Sequence, residues 1–160
     1  MMNVAEKLVE ILKASSLVCS VAESCTGGGV GSSITSVAGS SEVFSGGIIS
    51  YSNEVKRDVL SVKEETLLKY GAVSRQTAEE MAEGVRKLLK SDLSVSITGI
   101  AGPGGGSEEK PVGLVWFAIS TPDGTRAEKA IFSGSRDEVR KSAVTHALGM
   151  LTVSAMGRVK

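Results

Sequence analysis

The 160-residue chain has no excess of either charge, a single histidine, two cysteines and no long hydrophobic run. Each shortage excludes something. Eighteen Lys and Arg balance eighteen Asp and Glu, so no global field draws the chain to DNA or to an anionic membrane surface, and any anion site must be local. Direct nucleic-acid binding and membrane attachment are therefore not expected. Glu6, Lys7, Glu10 and Lys13 interrupt the opening stretch, which excludes a secretory signal there. No later run approaches membrane-spanning length. A cytoplasmic location is the expectation. Cys19 and Cys25 stand on either side of a predicted strand end, where pairing would distort the segment, so they read as reduced thiols. Two thiols and one histidine cannot complete a four-ligand zinc site without carboxylates. No metal or other cofactor is expected.

What is present is ordinary globular material. Hydrophobic residues make up 41% and charged residues 22%, and the length suits one domain spanning residues 1–160. Val4, Leu8, Ile11 and Leu12 recur at helical spacing. Leu17 to Ala22 reads as a buried strand, followed by Gly27, Gly28, Gly29 and Gly31 and then a helical period at Val30, Ile34 and Val37. Val43 to Tyr51 suggests a second strand, and Asn53 to Leu60 a helix. Ser61 and Glu64 form a capping-box pattern for a helix stopped by Gly71. Ala78, Met81, Ala82, Val85, Leu88 and Leu89 make the cleanest helical stripe. Leu93 to Thr98 predicts a strand and Gly99 to Pro111 a loop. Val112–Ser120 and Thr125–Phe132 flank Pro122, Asp123 and Gly124 as a hairpin. Ser135 and Glu138 launch a final helix through about Met156. The pattern predicts an α/β fold, a single-domain layered sandwich with a mixed sheet flanked by helices.

Four segments carry possible chemistry. Glu23 to Gly28 lies between a strand and a helix, where Ser24 is placed to act as a nucleophile and the glycine-turn amides to bind an oxyanion. Taken alone, Ser24 reads more readily as a capping serine than as a nucleophile, and Cys25 is a rival nucleophile. Tyr51, Ser52, Asn53 and Lys56 follow the second strand. A lysine desolvated in a cleft can serve as a general base without any histidine. The only histidine, His146, falls within the last helix and reads as a packed or surface residue. The loop Thr98 to Pro111 is rich enough in glycine to wrap a phosphate or ribose with backbone amides. Ser133, Gly134, Ser135, Arg136, Asp137 and Arg140 again feed a helix start, and two arginines there oppose the macrodipole, which hints at a bound anion.

Together AESCTGG (22–28), YSNEVK (51–56), GAVS (71–74), TGIAGP (98–103), GSEEKPVG (106–113) and FSGSR (132–136) resemble the CinA C-terminal domain family over essentially the whole chain. Members include nicotinamide mononucleotide deamidases, so the resemblance implies hydrolysis of the nicotinamide carboxamide to nicotinic acid mononucleotide and ammonia. It implies Ser24 as nucleophile, Tyr51 and Lys56 as its activating partners, and Thr98 and Arg140 as further active-site residues. A guanidinium at a helix start suits a monophosphate, so Arg140 is expected to hold the 5′-phosphate. Cys25, Thr26, Gly27, Gly28, Gly99 and Gly102 are expected to line the substrate pocket. The family also occurs behind a larger N-terminal domain, and this sequence looks like the stand-alone form. The expected partner is a small pyridine nucleotide, and a homodimer is the base rate for assembly. A non-catalytic nucleotide-binding module acting through a protein partner in competence or the DNA-damage response is the competing reading. Ser24, Tyr51 and Lys56 together favour catalysis, since a binder has little use for that trio.

Overall fold

The computed structural model describes residues 1–158. Its elements are α1 (Val4–Ser15), β1 (Cys19–Glu23), α2 (Gly29–Thr35), a 3₁₀ turn (Ser40–Glu42), β2 (Phe44–Ile49), α3 (Asn53–Asp58), α4 (Glu64–Tyr70), α5 (Arg75–Leu89), β3 (Leu93–Gly99), β4 (Leu114–Thr121), β5 (Gly124–Ile131) and α6 (Arg136–Met156). One five-stranded sheet runs in the order β2-β1-β3-β4-β5. Strands β2, β1 and β3 are parallel, while β4 and β5 add to β3 as an antiparallel hairpin. The sheet is mixed, as the alternation of helices with early strands and the late hairpin predict. Helices α1, α2 and α6 cover one face and α5 the other.

The two faces of the sheet pack differently, and the period-2 alternation of the strands explains why. Val21, Val95, Ile97, Phe117 and Ile119 join Leu8, Leu12, Ala143, Ala147 and Leu151 in the main core beneath α1 and α6. The alternate positions are small or hydroxylated. Ser94 Oγ donates to the Ala82 carbonyl at 2.6 Å and Ser96 Oγ to the Ala78 carbonyl at 2.5 Å, so α5 lies against the sheet over Ala78, Ala82 and Ala118. These buried hydroxyls are satisfied by helix carbonyls, which removes the desolvation cost that unpaired ones would carry.

Of the two capping boxes expected from the sequence, one forms and one does not. Ser135 and Glu138 form a full capping box at α6, and Ser74 caps α5 through the Thr77 amide. The expected box of Ser61 and Glu64 does not form. Ser61 sits in the left-handed region at φ 63°, and the residue preceding α4 is Lys63, which supplies no side-chain cap. Glu80 of α5 takes over, accepting from the Lys63 amide at 2.8 Å and the Thr66 hydroxyl at 2.7 Å. A tertiary carboxylate thus replaces the local cap.

Gly84 lies in the middle of α5, where glycine costs about 1 kcal/mol relative to alanine. A Cβ there would lie far inside van der Waals contact distance of the Leu60 carbonyl oxygen. That close approach seats the α3–α4 connection on α5. Gly84→Ala is therefore expected to lower stability by about 3 kcal/mol, against its helix propensity. Urea unfolding checks it, and a variant as stable as the parent would show that the connection is free to shift.

Candidate active site

In an open sheet the crevice beyond the carboxyl ends of the parallel strands, where successive connections leave toward opposite faces, is the usual ligand site. Here that position lies between β1 and β3, since the β1–β2 connection crosses by α2 and the β2–β3 connection by α5. The chain following β1 supplies Ser24 and Cys25, that following β2 supplies Tyr51 and Lys56, and the end of β3 supplies Thr98 and Gly99. All six line one cleft of about 310 Å³. A larger hollow of about 420 Å³ under the β4–β5 turn brings no nucleophile beside a base.

Register explains the meeting. Glu23 pairs with Ile49 on one side and Ile97 on the other, so β1 and β2 end level while β3 runs two residues further, to Gly99. The Ser24 amide donates to the Ile97 carbonyl at 2.9 Å and the Ser50 amide to the Glu23 carbonyl at 2.8 Å, tying the strand ends together. Ser52 then caps α3 by accepting from the Val55 amide. Lys56 follows in the first turns of that helix. Because helical side chains lean toward the N-terminus, its amine reaches back over the end of β2. Lys56 Nζ lies 3.0 Å from Ser24 Oγ, 2.7 Å from the Ser50 carbonyl and 3.1 Å from the Tyr51 carbonyl.

Lys56 is 1% exposed, which is exceptional for a lysine. Burial disfavours the charged ammonium and lowers its pKa to about 8, with neighbouring Cys25 opposing weakly. Cys25 responds in the opposite sense. Burial raises its thiol to about 11, despite the positive charges of Arg140 and Lys56. Cys19, buried at the start of β1, is raised to about 12 by that burial. Both cysteines are free thiols.

The glycine turn does different work from that expected. Glu23, 1% exposed, turns its carboxylate onto the start of α2 and accepts from the Val30 amide at 2.9 Å and the Gly31 amide at 3.0 Å. The Gly27 amide closes a turn on the Ser24 carbonyl at 3.1 Å. Those helix-start amides are thus occupied, and Gly28 lines a separate groove between α2 and β2. The amides of Cys25, Thr26 and Gly28 carry no protein partner among the described residues, and of these Cys25 lines the cleft. Glu23 opens the first candidate segment, but the sequence assigns it no role. Its only signal is a carboxylate at the end of a buried strand.

Arg140 also stands elsewhere than expected. Its Nε donates to the Cys25 carbonyl at 3.0 Å and its Nη2 to the Thr26 carbonyl at 3.4 Å. It braces the turn from behind, with Thr26, on the α2–α6 surface rather than in the cleft. The guanidinium that lines the cleft is that of Arg136, whose Nη1 donates to the Gly102 carbonyl at 2.8 Å. The two arginines lie one helical turn apart along α6, and that offset places one on the cleft wall and the other behind the turn. Gly102 lines the cleft, and Thr98 Oγ1 donates to the Ala72 carbonyl at 2.8 Å, drawing Ala72 and Val73 into the wall. Tyr51 is 64% exposed at the rim, and its carbonyl rather than its phenol contacts the amine. His146 packs on Phe117 at 4.4 Å, remote from the cleft.

Fold and cleft define a three-layer α/β protein with a buried serine–lysine pair at the sheet's switch point. The profile of the CinA C-terminal domain matches residues 1–154, and the chain belongs to that family. It is 51% identical over 154 residues to the nicotinamide-nucleotide amidohydrolase PncC of Escherichia coli (strain K12), covering 94% of this chain and 92% of that protein. It is 50% identical over 153 residues to a putative competence-damage inducible protein of Caldanaerobacter subterraneus subsp. tengcongensis, covering 96% of this chain but only 37% of that relative's length. The solved structure of the competence/damage inducible protein CihA from Agrobacterium tumefaciens superposes with a TM-score of 0.92 at 42% identity, covering 96% of this chain and 93% of that one. Among the described residues, no helix is long and apolar enough to cross a membrane.

Proposed function

We propose that the chain is a cytoplasmic amidase that hydrolyses the carboxamide of nicotinamide mononucleotide, with Ser24 as nucleophile and Lys56 as its base. One observation carries this reading. A neutral lysine amine has two N–H bonds and one lone pair. The Ser50 and Tyr51 carbonyls take the two hydrogens, which leaves the lone pair directed at Ser24 Oγ. A pKa of about 8 makes that neutral form accessible near physiological pH.

In this mechanism Lys56 takes the Ser24 proton as Oγ attacks the carboxamide carbon. The resulting oxyanion is stabilised by the unoccupied amides of Cys25 and Thr26, held in place by Arg140 on the carbonyls of the same two residues. Lys56 returns the proton to the leaving nitrogen, which departs as ammonia when the C–N bond breaks. Water then attacks the acyl-serine and gives its proton to Lys56, which restores Ser24 as the carboxylate product leaves. The name of the E. coli relative supports the choice of substrate.

The test is direct. The purified protein incubated with nicotinamide mononucleotide is expected to release ammonia and nicotinic acid mononucleotide in equal amounts, followed by coupled ammonia assay and chromatography. Tight binding of the nucleotide without any acid product would replace the enzyme with a nucleotide-binding module.

A further inference from the structure

The cleft wall contains two charged side chains, Lys56 and Arg136, and no carboxylate among the described residues. In a chain whose charges balance, this is a local concentration of positive charge. Lys56 cannot serve an incoming anion, because its amine is fully engaged by Ser24, Ser50 and Tyr51. Arg136 can. It uses one of its five N–H donors, on the Gly102 carbonyl, and it takes part in no ion pair among the described residues.

The carboxylates nearest in sequence are committed elsewhere. Asp137 pairs with Lys141 at 3.0 Å, and Glu138 accepts from the Ser135 amide at 3.2 Å in the capping box. Arg136 is moreover the first residue of α6, where the helix presents its positive end and a cation is disfavoured. An uncompensated guanidinium at a helix start, facing a carboxylate-free cleft and pinned to the cleft wall by one nitrogen, has the makings of an anion clamp.

We infer that Arg136, and not Arg140, is the specificity residue that binds the 5′-phosphate of the substrate. This rests on the amidase reading for the identity of the substrate, and it makes the enzyme selective for phosphorylated over unphosphorylated nicotinamide nucleosides. The bond to Gly102 gives the clamp a fixed position, because it ties the start of α6 to the glycine loop after β3. Phosphate binding there would hold the nucleotide by the end opposite its carboxamide, which is the end Ser24 attacks.

The experiment compares kcat/KM for nicotinamide mononucleotide with kcat/KM for nicotinamide riboside, in the parent, Arg136→Ala and Arg136→Lys. Arg136→Ala is expected to lower the mononucleotide-to-riboside ratio by about 10- to 100-fold, the range for losing a charge-assisted hydrogen bond or a bidentate pair. Arg136→Lys retains the charge without the fork and should fall between. A ratio unchanged in Arg136→Ala, whether both rates fall together or neither moves, would overturn the inference and leave Arg136 as a brace for the loop. Calorimetric titration with nicotinic acid mononucleotide and with its unphosphorylated nucleoside separates this from the deamidation chemistry. If the parent turns over neither substrate, the amidase reading fails. The clamp then stands if the affinity gained from the phosphate disappears in Arg136→Ala, and falls if it persists.

Discussion

Ser24→Ala is expected to leave a folded protein that releases ammonia from nicotinamide mononucleotide about 10³- to 10⁴-fold more slowly than the parent. The fold should survive because the structural work at this position is done by the backbone: the Ser24 amide holds the Ile97 carbonyl, and its own carbonyl accepts from Gly27. Among the described residues the hydroxyl hydrogen-bonds only with Lys56. Removing it takes away the group that forms the acyl bond while the cleft remains able to bind substrate, so kcat falls and KM changes little. Cys25, its neighbour in the cleft, offers a sharp control. With its thiol raised to about 11 by burial, it is protonated at neutral pH and a poor nucleophile. Cys25→Ala should therefore retain turnover within about threefold. Activity that survives in Ser24→Ala and disappears in Cys25→Ala would transfer the nucleophile to the sulfur.

The second large effect is at Lys56. Lys56→Met is expected to lower kcat by about 10³-fold, in the range general bases contribute, and Lys56→Arg by as much, since a guanidinium stays charged and has no lone pair to offer. The pH dependence is the more diagnostic readout. A base must be unprotonated to act, so kcat/KM of the parent should rise with pH and level off above about pH 8. That limb should be missing from the residual activity of Lys56→Met. Stability carries the same signature. The unfolded lysine titrates near 10.4 and the folded one near 8, so between these values the unfolded chain holds more protons and raising the pH favours folding. The penalty of the buried ammonium is complete below about pH 8 and fades as the pH climbs toward 10. Urea unfolding of the parent should accordingly gain on Lys56→Met across that interval. A flat difference would mean that the amine is solvated and has an ordinary pKa.

The element pattern was largely written in the chain. Alternation at Val95, Ile97, Phe117 and Ile119, the stripe along α5 and the box at Ser135 and Glu138 are local signals, and each formed the element that its period implies. The failed cap at Ser61 marks the limit of such signals. Its pattern matched, but the helix starts after Lys63 instead, and Glu80 from the next helix accepts from the Lys63 amide and the Thr66 hydroxyl, a contact no local pattern shows. The site shows the same division. Ser24 and Lys56 were legible because each sits in a segment whose glycines or strand end set it apart. Glu23 was not, because a carboxylate that caps a helix from the preceding strand leaves no periodic trace. Nor could spacing choose between Arg136 and Arg140, one turn apart, when the outcome depends on which way α6 leaves the cleft.

By itself the sequence determined the elements, their order, the balance of charge and the few residues able to act as nucleophile or base, because these depend on neighbours within a helical turn or a strand. Tertiary structure decided which of those residues meet: that the Lys56 amine lies against the Ser24 hydroxyl, that Glu23 consumes two amides at the start of α2, and that one arginine faces the cleft while the other braces the turn behind it. Such contacts join positions far apart in the chain. They are fixed by strand register and by the packing of helices on a sheet, and neither is encoded in any single segment.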